Sequence, residues 1–326
     1  MKKDVIAKTY MSSADVFADA FNYLLYDGQS VIRAENLKTW DTTVTGTPFG
    51  KNGMEFPVQK FRDHFKYFTA MEDENAAYLL LGIENQSDVH YAMPVRNMVY
   101  DALQYAGQVT KTAKAHREAK EKKKNLTTGE YLSGFYKEDR LIPVITLVIY
   151  FGAEEWDGPV SLYDMLEKTE DNLLSYIPDY RINLIAPAAM EKEEFDKLQT
   201  SLREVLLYIK YSKDKQKLQE MIAKDQRFQS VEPEAVRVIN AVTGSKVKMA
   251  EEGGTVDMCK AIEDMKRDER REGRREGRRE GQREGREESI LEFVHNLKNT
   301  MGWTTEQAME ALKIPEDERK KYMAKV

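Results

Sequence analysis

Asp63, Glu84 and Gln86 are the residues of this 326-residue chain whose types and spacing suit hydrolytic chemistry. Asp63 falls in an aromatic-rich run, Phe61–Thr69, and Glu84 ends the apolar run YLLLGIE, Tyr78–Glu84. Both runs read as strands, and neighbouring strands lie about 4.8 Å apart, so the two carboxylates can share one cation. Glu84 and Gln86, two residues apart, face one side of a strand, and Ile83 faces the core on the other. Hard oxygen ligands suit Mg2+ or Mn2+. Like charges held close are costly without a cation, and such an ion activates water and offsets charge on a phosphodiester. By itself, an acid, a gap and E-x-Q is also what a buried strand shows when it ends in a solvent-facing glutamate.

The elements that must position these residues follow from periodicity. Ser13–Tyr26 has Phe17, Phe21, Leu24 and Leu25 at helical spacing, with Ser12 or Ser13 as cap and Gly28 as stop. Asp15 and Asp19 lie four apart on one face of that helix. Val31–Thr45 is an irregular piece, FGKNG at Phe49–Gly53 a turn, and Asp73–Asn75 the loop of a hairpin between the two strands. Met93 to about Lys120 is helical, with Pro94 in its first turn and Val95, Val99, Leu103 and Ala106 at helical spacing. It ends in a basic run, Lys111–Lys124, that includes Lys114. That run reads equally as a solvated helix end or as a DNA-facing patch. Leu141–Phe151 is a third strand closed by Gly152, Ile182–Ile185 a short fourth, and Glu191–Val242 is helical. The order predicts an α/β core with a mixed sheet.

The domain expectation is a core over 1–250, a charged repeat over 251–290 and a small helical module over 291–326. The repeat, ERREGRREGRREGQREGREE, places Gly273, Gly277, Gly281 and Gly285 four apart. Each glycine costs a helix about 1 kcal/mol relative to alanine, so the segment reads as a marginal helix or a linker.

Composition limits the function classes. The net charge of -6 argues against charge-driven nucleic-acid binding over the whole surface and confines any DNA contact to a local basic face. The one cysteine, Cys259, excludes an intrachain disulfide framework and a cysteine-rich zinc site. The four histidines have no metal-ligand spacing. The start carries no apolar run of the secretory kind, and Ala76–Ile83 and Val144–Phe151 are too short to span a bilayer. The expectation is a cytoplasmic protein without a membrane or organic-cofactor partner.

The run LGIENQSDVHYAMPVRNMVYDALQY, with a strand ending in I-E-x-Q-S before a helix with M-P-x-R, resembles the Rpn family of recombination-promoting nucleases and transposase-like proteins. LIPVITLVIYFGAEEWDGPVSLYDML resembles a further block of that family, a strand ending in Tyr-x-Gly followed by Trp. Asp15–Phe17 and Glu35–Leu37 resemble its first block, and the EGRR-type repeat is familiar from its members. The likeness is good over roughly residues 10–190. It implies a restriction-endonuclease-like core of the PD-(D/E)XK class, a bacterial protein that works on DNA, and Mg2+ or Mn2+ held by Asp63 and Glu84. Gln86 stands where that class has lysine, Asp15 is a further acidic site residue, and Arg96 and Tyr100 face substrate phosphate. Arg62 stands where the class name has proline. Glutamine can orient water but is neither base nor cation. Other readings remain open: Asp63 paired with Lys66 or Arg62, Asp15 as a helix-start residue, Arg96 paired with Asp101 or Asp88, and Tyr100 as core. At the level of function, the rivals are an inactive DNA-binding protein of the same fold and a protein-interaction scaffold. RNA as substrate and a homodimer are further possibilities.

Overall fold

The computed structural model describes residues 3–39, 66–71, 77–119, 125–167, 170–249, 254–323 and 325. Asp63, the FGKNG turn, Asp73–Asn75 and residues 120–124 of the basic run lie outside the described residues, as does the side chain of Glu84. The chain forms two compact units, Met1–Ala261 and Ile262–Val326.

The first unit opens with helices α1 (Lys3–Tyr10) and α2 (Ala14–Tyr26). Ser13 occupies the N-cap of α2 but makes no side-chain capping bond. The helix stops at Asp27 and Gly28, both with positive φ. A side chain on Gly28 would collide with the Lys197 carbonyl as well, so glycine is needed there on two counts. A five-stranded sheet follows in spatial order β1 (Leu37–Thr39), β2 (Lys66–Met71), β3 (Ala77–Gln86), β4 (Val144–Tyr150) and β5 (Asn183–Ile185). β1, β2 and β3 pair antiparallel, whereas β3, β4 and β5 pair parallel. The sheet is therefore mixed, as the element order predicts. The two β2–β3 strands are antiparallel neighbours, as a hairpin requires, and β1 is a strand where the sequence suggests only an irregular piece.

Helix α3 (Met93–Glu118) makes the crossover between the parallel strands β3 and β4, a connection that a parallel pair requires. Helix α4 (Thr128–Ser133) lies between α3 and β4 and is closed by a capping box of Thr127 and Glu130. Four-residue α5 (Asp171–Leu174) precedes β5, and α6 (Lys192–Phe195), α7 (Leu202–Tyr211), α8 (Lys215–Lys224) and α9 (Pro233–Thr243) follow it.

The sheet has a helix on each face. On one side, Phe17 of α2 meets Phe68 of β2 edge-on at 4.5 Å, and Phe68 is registered with Leu81 of β3. Phe17, Phe21, Leu81, Ile83, Leu147 and Ile149 are all buried. Each such side chain contributes about 1.5–3 kcal/mol by leaving water. Ile83 faces the core as its place in the strand predicts. α2 is also tied to the helical layer: Asp19, buried, accepts from the backbone amides of Gln199 at 2.9 Å and Thr200 at 2.8 Å, and from the Thr200 hydroxyl at 2.6 Å.

The second unit lies within α10 (Met258–Met301), α11 (Thr305–Ala311) and α12 (Glu316–Met323). Val294, Ala308, Met309, Ile314 and Tyr322 form its apolar centre. The Arg/Glu/Gly repeat is part of the 44-residue α10, where its four glycines face open space. Glu287 accepts from Lys321 at 2.5 Å and pairs with Lys325, and these bonds push its carboxyl down to about 2.

Candidate active site

β3, β4 and β5 run parallel, so their carboxyl ends share one edge of the sheet. Ligands of open α/β sheets bind outside such ends. Register fixes the two faces there. Gly82, Glu84 and Gln86 of β3 pair with Thr146, Val148 and Tyr150 of β4. Thr146 bonds to Asp101 of α3, and Val148 clusters with Met93 of α3. Positions 84 and 86 therefore stand on the α3 side of the sheet, opposite α2.

α3 is seated on β4 by polar groups. Gln108 exchanges two hydrogen bonds with the backbone of Ile142, at 2.7 and 3.0 Å. The Tyr105 hydroxyl accepts from the Val144 amide at 3.0 Å. Thr146 donates to Asp101 at 2.6 Å, and Tyr180 donates to its other oxygen at 2.6 Å. Burial pushes the Asp101 carboxyl above its ordinary range, and these two donors oppose the rise. Four helical residues rise about 6 Å and two strand residues about 6.6 Å, so a step of roughly four on α3 matches a step of two on β4. The apolar positions Val95, Val99, Leu103 and Ala106 do not define the buried face. Val99 is exposed, while Asn97, Tyr100 and Gln108 are buried.

A cavity of about 270 Å³ opens at the end of β3, lined by Gln86, Asp88, His90 and Arg96 together with Asp4 and Lys8 of α1. Ser87 donates to Asp4 at 2.5 Å at its rim. Arg96 donates through Nε to the Tyr100 hydroxyl at 2.8 Å, and its guanidinium lies 5.7 Å from the Tyr100 ring centre. The His90 imidazole is pushed below its ordinary value by burial and by Arg96. Its Nδ1 accepts from the Ala92 amide at 3.3 Å.

Beside Gln86, Tyr150 turns over Gly152, where an added Cβ would sit 2.1 Å from the Tyr150 ring, so the Tyr-x-Gly pairing is steric. Trp156 meets Tyr150 edge-on at 5.5 Å and packs on the cluster of Met93, Val148 and Ile182. Burial, then the charges of Asp88 and Asp157, raise the Tyr150 hydroxyl.

The structure thus brings Gln86 and Arg96 together at one cavity, with Tyr100 bonded to Arg96. Tyr100 is buried. Asp15 is exposed in the first turn of α2 and does not line this cavity. Lys111 and Lys114 are exposed on α3, with Lys114 near Glu118 at 3.9 Å. Lys111 lies about 22 Å along the helix from Arg96.

Sequence reasoning did not pick out α1 or Asn97, and named Asp101 only as a possible partner of Arg96. For the last two, the available signal was a polar residue every four positions on a helix whose crossover role buries it. Buried side-chain polar atoms without a partner among the described residues belong to Asn85, Asn97 and Trp156. Asn85 lies near the end of β3, and Trp156 packs beside Tyr150. Gln86 and Asp88, which line the cavity, carry oxygen donors of the kind a hard divalent cation takes. Among the described residues, no three His, Cys, Asp or Glu gather as a metal cluster.

A family model described as "Putative transposase, YhgA-like" matches residues 59–234, a span that holds β2 to β5 and the whole cavity edge of the sheet. The chain matches no curated protein and no protein of solved structure.

Proposed function

Because the chain belongs to the YhgA-like putative transposase family, we propose that it is a metal-dependent DNA endonuclease with a restriction-endonuclease-like core of the PD-(D/E)XK class. The observation that carries this reading is the shared sheet face of positions 84 and 86, at a parallel strand end beside Arg96. Asp63 and Glu84 would hold Mg2+ or Mn2+. When bound, the cation supplies a water of lowered pKa and offsets charge on the phosphodiester.

The rest falls to the chain's own groups. Gln86 orients the water through its amide, which both donates and accepts but cannot take its proton. Arg96 donates to a phosphate oxygen, held in plane by its bond to the Tyr100 hydroxyl. Lys111 and Lys114 would meet backbone phosphates farther along the duplex, and Asp15 would lie at the margin of the site. Cutting both strands needs two such sites, which a homodimer would supply.

The test is plasmid nicking by purified protein in Mg2+, in Mn2+ and in EDTA, with Glu84→Ala alongside. We expect metal-dependent nicking that falls at least 100-fold in the variant, about 2.7 kcal/mol of activation free energy. Folded wild-type protein that binds DNA but never cuts single- or double-stranded substrate would replace this reading with that of a DNA-binding protein.

A further inference from the structure

Among the described residues, α1 is the element that reaches the cavity at the end of β3 from outside the family match, which begins at residue 59. Its inner face is anchored. Ala7 and Tyr10 are buried, and the Tyr10 hydroxyl shares a hydrogen bond with Ser201 at 2.9 Å. An adjoining face carries Asp4 and Lys8, four residues apart, and both line the cavity. The bond from Ser87 to Asp4 ties α1 to the residue that follows β3. Lys8 is half-buried there, although a lysine on a surface helix ordinarily extends its ammonium into water.

The charges of the lining decide what the cavity can take. Among the described residues, Asp4 and Asp88 are negative, Lys8 and Arg96 positive, and Gln86 neutral. Burial and Arg96 push the His90 imidazole down, so it adds no charge near pH 7. The two acids and the two cations balance. Without Lys8 the lining is negative, and it repels a phosphodiester. With Lys8, a phosphate brought to Gln86 meets cations from two helices, α1 and α3. The arginine fork fixes the plane of approach, and the lysine ammonium is a compact charge with three donors on a flexible stem.

We propose that Lys8 is a substrate-binding residue, whose ammonium holds a backbone phosphate of duplex DNA at this cavity together with Arg96. The inference rests on the endonuclease reading above and extends the site to an element outside the family match. It calls on no metal ion, because the contact joins a cation of the chain to the phosphate itself.

The test is binding of the full chain to a short fluorescent DNA duplex in EDTA, followed by anisotropy over a range of salt. Each phosphate neutralised adds about 0.9 to the steepness with which log affinity falls against log salt. Lys8→Gln should therefore lower that slope by about one and weaken binding at low salt several-fold, equally for duplexes of unrelated sequence. Lys8→Arg should keep the wild-type slope. Lys3→Gln removes the same charge from α1 away from the cavity and should change neither quantity. A Lys8→Gln slope equal to wild type would overturn the inference, as would equal losses in Lys8→Gln and Lys3→Gln. Wild-type protein without salt-dependent binding would overturn it too. In each of these cases plasmid nicking decides the endonuclease reading separately.

Discussion

Asp19 shows how much one carboxylate can hold. It takes two backbone amides and a hydroxyl from Gln199 and Thr200 on the buried face of α2. Asp19→Ala leaves those amides unmatched, and we expect a loss of about 3 kcal/mol in urea unfolding. A change below 0.5 kcal/mol would mean that water reaches them. The sequence presents Asp15 and Asp19 as one acidic face and draws attention to Asp15. Asp19 was not legible because its partners lie some 180 residues away and are mostly backbone groups, which leave no local pattern. Gln86 and Arg96, which line one cavity, were easier to bring together because β3 and the first turn of α3 are adjacent in the chain.

The strands and α3 were legible where local forces determine them. β3 and β4 are apolar runs, β4 buried on both faces, and Pro94 marks the start of α3. The orientation of α3 was not legible, because hydrophobic spacing assumes that the apolar side faces inward, and here polar side chains answer β4. Asp101 lends this element a dependence on acidity. Burial holds its folded pKa above the unfolded value, so the folded state grips the proton more tightly. Its stabilising share is present below the unfolded pKa, about 4, and is lost as pH rises through the folded pKa. Urea unfolding of wild type and Asp101→Asn across pH 3–8 should show the wild type's relative stability falling as pH rises. A constant difference would place the Asp101 carboxyl at its ordinary pKa.

At the scale of the molecule, each compact unit has its own apolar centre. The family match ends at residue 234, within the first unit. A fragment ending at Ala261 should therefore fold and retain metal-dependent nicking, read on the same plasmid. Loss of all nicking in a fragment with native circular dichroism would shift the function toward the C-terminal helices. α10 itself carries the repeat as helix although its glycines weaken it, and Arg267–Asp264 and Arg283–Glu280 pair one turn apart along it. Each of those pairs adds only a few tenths of a kcal/mol.

The stepping of α3 on β4 acts as a rack and pinion would. Slipping the helix by one residue would bring every tooth to the wrong strand position. Slipping it by a full turn would strand the Gln108 amide away from the Ile142 backbone. The longitudinal position of Arg96 is thus set from about 18 Å behind it, by side chains that never approach the cavity. Wear in those distant teeth would reach the chemistry as misalignment, well before it reached the fold as melting.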